Sequence, residues 1–249
     1  MTFASPLLTR ASVAFMLFFL SAYTLTYFDM RLLYGVSVWE KPSKFFLSLA
    51  IHMATLAWGI SLLPAEQRRS RGVRIASLAF IAAAVVEMTY MIFQSSLGEA
   101  SHFNRSTTFH DVLYSLMGMG ALTLTVTTAY LGWRIRRSGT TLMHFAAGWS
   151  FMVSAAATTF VAGYLASGSG HWIGGDQTDA TGLPFFHWST TGGDLRVAHF
   201  AALHLMQAVP LIAWFLPDKR IVGASLIGGI GIVAALAAQA LLGMPLFRI

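Results

Sequence analysis

The chain holds eight histidines, ten acids and no cysteine, so any reactive chemistry must come from imidazole, carboxylate and cationic side chains. Two stretches concentrate them. The first runs from Glu87 through Gln94 to Ser101-His102-Phe103-Asn104. Glu87 and Gln94 are seven apart and share one helix face, and His102 and Asn104 frame a short polar turn beside them. The second is Gly192-Gly193-Asp194-Leu195-Arg196, continuing through His199, His204 and Gln207. Arg196, His199, Leu203 and Gln207 fall on one stripe. His204 is five residues from His199, about 140° away round a helix, so the two do not form the i, i+4 pair that grips one metal. Asp194 is placed to cap the helix that follows it.

Imidazole and carboxylate donors without thiolate suit zinc, iron or copper, and a metal-bound water would supply a nucleophile for hydrolysis. On that expectation His102, His171, His199 and His204 are the metal ligands. Glu87, Asp111 and Asp194 serve as base or further ligand, and Arg196 holds an anionic group by a bidentate contact. Asp111 has an equally good explanation, since an acid in a first helical turn is favoured by the helix dipole. Gln94, Asn104, His52 and Gln207 are the polar side chains expected to line a cofactor. For haem, facing helices must each offer a histidine, and His52, His199 or His204 would serve.

The elements that position these residues follow from composition. The chain is 249 residues long, 56% hydrophobic and only 10% charged. Soluble domains carry about 25% charged residues, so a water-soluble globule is excluded. Seven segments reach the roughly 20 apolar residues a spanning helix needs: 11–29, 43–63, 73–94, 109–133, 143–165, 195–216 and 221–243. A single all-α transmembrane domain, an integral membrane seven-helix bundle over 1–249, accounts for the whole chain. The longest connection, 166–193, mixes His171, Asp176 and His187 with aromatics and glycines and is expected to be an ordered lid.

The net charge of +6 is divided unevenly. Arg10, Arg68, Arg69, Arg71, Arg74, Arg134, Arg136, Arg137, Lys219 and Arg220 lie at the ends of alternate spans, with only Glu66 and Asp218 for company. By the positive-inside rule that side is cytoplasmic, as is the N-terminus, and the C-terminus lies outside. The basic residues therefore read as topology signals, and nucleic acid is not an expected partner. Six histidines (His102, His110, His171, His187, His199, His204) and eight of the ten acids fall on the outer side or in the outer half. An unpaired carboxylate two turns deep, as Glu87 would be, is costly enough to mark a functional site. At the start of the second span, Trp39 reads as an interface anchor and Lys44 as either an anchor or a residue projecting inward.

The strings Ser101-His102-Phe103-Asn104 and Gly192-Gly193-Asp194-Leu195-Arg196, with His199-Phe200 and Leu203-His204 following, resemble a family of bacterial multi-pass membrane proteins. The likeness runs from Trp39 to Pro210. It implies a shared fold and a place in the bacterial inner membrane, and it hands over no mechanism. Seven-span zinc hydrolases such as the alkaline ceramidases carry two late histidines four apart, a pattern His199 and His204 do not meet. A microbial rhodopsin is excluded, because the seventh span has no lysine for a retinal Schiff base. The expectation is a metal-dependent membrane enzyme, hydrolytic, with an outward-facing site for a lipid or lipophilic small molecule. The alternatives are a redox protein binding haem, copper or quinone, and a proton-coupled transporter or sensor. The bilayer is the other expected partner, and a homo-oligomer is left open.

Overall fold

The computed structural model describes residues 5–168 and 170–248. Its element order is α1 (Pro6–Phe28), β1 (Leu32–Leu33), β2 (Val36–Ser37), α2 (Glu40–Ser61), α3 (Ala65–Arg68), α4 (Arg71–Leu97), α5 (Thr108–Ser138), α6 (Leu142–Ser167), β3 (Trp172–Ile173), β4 (Gly193–Asp194), α7 (Leu195–Phe215) and α8 (Lys219–Leu241). All but α3 of these helices are long and apolar enough to cross a membrane, which makes the chain a multi-pass membrane protein.

The expected spans are all present, and most helices extend beyond their apolar segments. α1 begins at Pro6, with proline in the first turn where its missing N–H costs nothing. α5 runs on through Arg134, Arg136 and Arg137 to Ser138, because cationic side chains at a helix end reach the interface while the backbone stays helical. α4 stops at Gly98, whose φ of +76° is the left-handed conformation glycine accepts freely. The four-residue α3 had no counterpart in the sequence reading.

Helices adjacent in sequence pack on one another: α1 on α2, α5 on α6, α6 on α7 and α7 on α8. In the apolar windows of α2 and α6, 56% and 50% of residues are buried, against 11% in α1 and 22% in α8. α2 and α6 are therefore central, and α1 and α8 face outward. The main core includes Phe46, Met53, Leu56, Ile60, Phe80, Met91, Leu131 and Phe151, and Met206 joins it from α7. Phe160, Ile227 and Trp214 stay more than 60% exposed, as lipid-facing side chains of a spanning bundle do.

The bundle has an acidic and a basic end. Two short antiparallel ribbons, β1–β2 and β3–β4, lie at the acidic end. The connection after α6 makes several contacts with the first ribbon through its described residues. Asp179 N and Thr178 Oγ1 donate to Tyr34 O at 2.8 and 3.0 Å, and Trp172 meets Tyr34 edge to face. The segment thus lies down on the first ribbon.

Candidate functional site at the acidic end

Glu87 is the centre of the arrangement. It is 6% exposed in α4, and Oε1 lies 3.8 Å from His102 Nε2. Its other oxygen is buried with no hydrogen-bond partner among the described residues. His199 on α7 is within electrostatic range of both Glu87 and His102, and its Nδ1 is also buried and unpartnered. Buried polar groups are nearly always hydrogen-bonded, so two orphans in one neighbourhood call for an explanation.

The polar turn after α4 holds His102 in place. Gln94, fully buried, and Asn104 both donate to Ala100 O, at 3.2 and 3.1 Å. Asn104 Oδ1 accepts from Ser106. Phe103 sits at φ +60°, a strained conformation for an aromatic residue that places its neighbour against Glu87. Gln94 and Asn104, expected to line a cofactor, instead build the turn, although Gln94 Oε1 remains unpartnered. Ser101 Oγ lies 3.1 Å from His102 Nδ1 and fixes the ring. Burial, and then the Lys41 ammonium, push His102 well below the ordinary imidazole range. His102 is therefore neutral at pH 7, able to donate from one nitrogen and accept at the other.

Lys41 is the residue the sequence reading missed. Lys44 is held by Glu40 at 3.2 Å in an i, i+4 pair. Lys41, in the first turn of α2, has no acid within 4 Å among the described residues. Its Nζ lies 6.0 Å from the Phe45 ring centre, and that ring is 5.5 Å from His102. Glu87 is in its electrostatic range. A lysine at the end of a span reads as an interface anchor, and only its place one turn before Lys44 hinted otherwise.

Arg196 and Asp194 prove to be committed to the structure. Asp194 caps α7, accepting from Arg196 N at 3.0 Å, and its Oδ2 accepts from Ser189 N at 3.0 Å. The Arg196 guanidinium bonds both Asp194 oxygens, Asp179 Oδ1 at 2.8 Å and His187 O at 2.5 Å. Nε and Nη2 are engaged in these bonds and only Nη1 makes none among the described residues, which leaves one nitrogen for the bidentate contact expected of it. The hub ties the 170–193 segment to α7. Burial lowers His171, opposed by Asp179 at 3.6 Å; Asp179, which burial would raise, is held down by the His171 ring and the Arg196 charge. His187 lies 3.5 Å from Glu40 and links the segment to α2.

The remaining predicted residues lie apart. The His204 ring lies tilted against Phe200, 4.1 Å away, and is in range of His52, so it and His199 serve different neighbourhoods, as their spacing requires. His52 Nε2 is 2.9 Å from Thr128 Oγ1, and its ring lies against Phe80. Gln207 donates to Thr55 at 3.1 Å. Asp111 pairs with Arg105 at the surface, 3.2 Å away.

The metal expectation needs three donors around one centre. Among the described residues no three His, Asp or Glu side chains are so grouped, and the Lys41 ammonium beside the Glu87–His102 pair is unfavourable to a cation. The donors do not fit a metal centre. Haem fits no better at His52, whose Nε2 is already taken by Thr128 and whose ring is packed on Phe80. No protein family, curated protein or solved structure matches the chain.

Proposed function

We propose that the protein is a membrane-embedded enzyme whose acid–base site faces the outside and acts on a lipophilic substrate, with hydrolysis as its reaction. The observation that carries this reading is the pair of orphaned buried atoms, Glu87 Oε2 and His199 Nδ1, beside neutral His102 and the unpaired Lys41. In hydrolysis of an ester or amide, Glu87 takes a proton from water while the hydroxyl oxygen bonds to the carbonyl carbon. Lys41 faces the negative charge that develops on the carbonyl oxygen, and as the bond to the leaving group breaks, the proton held by Glu87 passes to that group through His199, which takes it at one nitrogen and gives one up from the other. Positioned acid–base groups of this kind contribute about 10²- to 10⁴-fold each.

An apolar substrate is supported by the aromatic edge beside the site. Phe186 stacks on Trp188 at 4.4 Å, Phe200 meets both edge to face, and Lys44 lies 6.0 Å from Phe185. Phe185, Phe186 and Phe200 are 36–42% exposed. Aromatic rings next to a lysine match the headgroup level of a bilayer. Phe185 and His187 both have positive φ, the strained backbone that clusters at ligand clamps.

Lipid extracts of membranes carrying the parent protein and Glu87→Gln test the reading by mass spectrometry. A species consumed or produced only by the parent is expected, and identical extracts overturn it. The outward orientation rests on the charge asymmetry and is checked separately. Because the chain lacks cysteine, Gln177→Cys should react with an impermeant maleimide in intact cells and Thr140→Cys should not; the reverse pattern places the site in the cytoplasm.

A second reading, a proton-coupled carrier, is favoured by polar pairs that continue into the bundle, Thr55–Gln207 at 3.1 Å and His52–Thr128 at 2.9 Å. Proton flux into pyranine-loaded proteoliposomes, abolished by Glu87→Gln, would select it over hydrolysis.

A further inference from the structure

We infer that the basic end carries a binding site for a phosphate oxyanion, that of an anionic phospholipid headgroup, between the ends of α5, α6 and α8. Phe145, in the first turns of α6, has two cations on its ring: Arg136 Cζ at 5.7 Å from α5 and Lys219 Nζ at 5.3 Å from α8. The two charges are therefore at most about 11 Å apart across one aromatic ring.

Neither has a counter-charge. Among the described residues no ion pair occurs at this end, and neither Arg136 nor Lys219 donates a side-chain hydrogen bond. Several of the other polar groups here are engaged elsewhere. Asp218 caps α8 through Arg220 N at 2.6 Å. Arg68 donates to the Leu63 and Ser61 carbonyls, Arg134 to Tyr130 and Gln67, and Arg137 lies over Trp133. His144 is held between Thr141 and Leu62 O.

Two further observations separate Arg136 from ordinary topology charges that reach into water, as the exposed Lys219 does. Arg136 Nε is buried and has no partner, so a donor has been taken out of solvent with nothing to receive it. Its backbone is also fixed: a Cβ on Gly148 would stand 2.5 Å from Arg136 Cβ and 2.8 Å from its N. α6 therefore approaches α5 closely enough to hold the guanidinium over Phe145. α6 and α8 both begin at this end, and their N-terminal N–H groups and dipoles add to the attraction for an anion. A basic pocket between helices at the level of lipid headgroups is the setting in which phospholipid phosphates bind. The site lies at the opposite end from Glu87 and stands independently of the enzymatic reading.

Native mass spectrometry of the full chain released from nanodiscs containing phosphatidylglycerol and phosphatidylcholine tests the assignment. Retention of phosphatidylglycerol over phosphatidylcholine is expected. Arg136→Gln with Lys219→Gln should weaken it about 25-fold, at roughly fivefold per cation. Arg69→Gln with Arg74→Gln, which removes the same charge from the same end, should leave it in place, and Arg136→Lys with Lys219→Arg should preserve it in a folded protein. Equal retention of both lipids, or equal losses in the two glutamine pairs, overturns the site. Displacement of the lipid by millimolar inorganic phosphate overturns the headgroup as its source.

Discussion

The two ends of the bundle handle charge in opposite ways. All the ion pairs among the described residues lie at the acidic end, from Asp29–Arg31 to Arg196–Asp194. The basic end satisfies its arginines with carbonyls and aromatic rings, or leaves them exposed. A pairing network is informative where it is incomplete. At the acidic end nearly every cation has an acid, so unpaired Lys41 and the orphaned oxygen of Glu87 stand out as available for chemistry. At the basic end unpaired charge is the rule, and only convergence on one ring with a buried donor marks a site. The same contrast separates the roles of the conspicuous residues. Arg196 and Asp194 look catalytic in sequence yet are bound to each other and to Asp179, His187 and Ser189, and groups so engaged position other residues.

The largest effect expected from breaking this contrast is at the hub. Arg196→Ala leaves Asp194, whose side chain is 1% exposed, buried without its partner. Removal of one member of such a pair costs about 3 kcal/mol, which should lower the thermal midpoint in detergent by roughly 10 °C. Glu87→Gln should act the other way round, lowering turnover at least about 100-fold while leaving the midpoint nearly unchanged. If Arg196→Ala is stable but inactive and Glu87→Gln unfolds, the assignment of structural and reactive groups is reversed.

Packing sharpens the comparison next. A Cβ on Gly193 would collide with Ala240 O, where β4 meets α8. Gly193→Ala should cost about 2 kcal/mol in the same thermal measurement.

Acidification gives a smaller, graded effect. His102 and His171 are both held below the ordinary imidazole value. A depressed group contributes stability above its unfolded pKa, near 6.5, that is lost as pH falls from there towards its folded value. Unfolding followed from pH 7.5 to 5 should therefore show falling stability, by at most about 1.4 kcal/mol per pH unit for each group, and His102→Gln should flatten the slope. Asp179, also depressed, keeps its contribution until pH drops below about 3.8. At the small end, Gly118→Ala on α5 meets open space and should change stability by less than about 0.5 kcal/mol.

The fold was legible because a bilayer imposes a length and a polarity that hydropathy reads directly, and alternation of the arginine clusters gave the two ends. Helix boundaries shifted where cations prolong a helix past its apolar stretch, as at Arg134–Ser138. Glu87 and His102 were legible from local spacing alone, a seven-residue interval followed by a polar turn. Asp194 as a cap was legible for the same reason. What sequence could not show was long-range: the reach of Arg196 to Asp179, 17 residues earlier, and the arrival of Lys41 beside Glu87. Both depend on how the 170–193 segment and the start of α2 settle over the bundle. The set of four metal-binding histidines failed to assemble for that reason too, since His171 went to Asp179 and His204 to Phe200.

The proposed role of Glu87, a base that activates water at the acidic end, is tested most directly by following solvent oxygen. Purified protein in nanodiscs of total membrane lipid, incubated in H2(18)O, should yield a lipid-derived product carrying one 18O atom, and Glu87→Gln at the same loading should yield none. Products free of 18O in the parent, or the same label with Glu87→Gln, would contradict it.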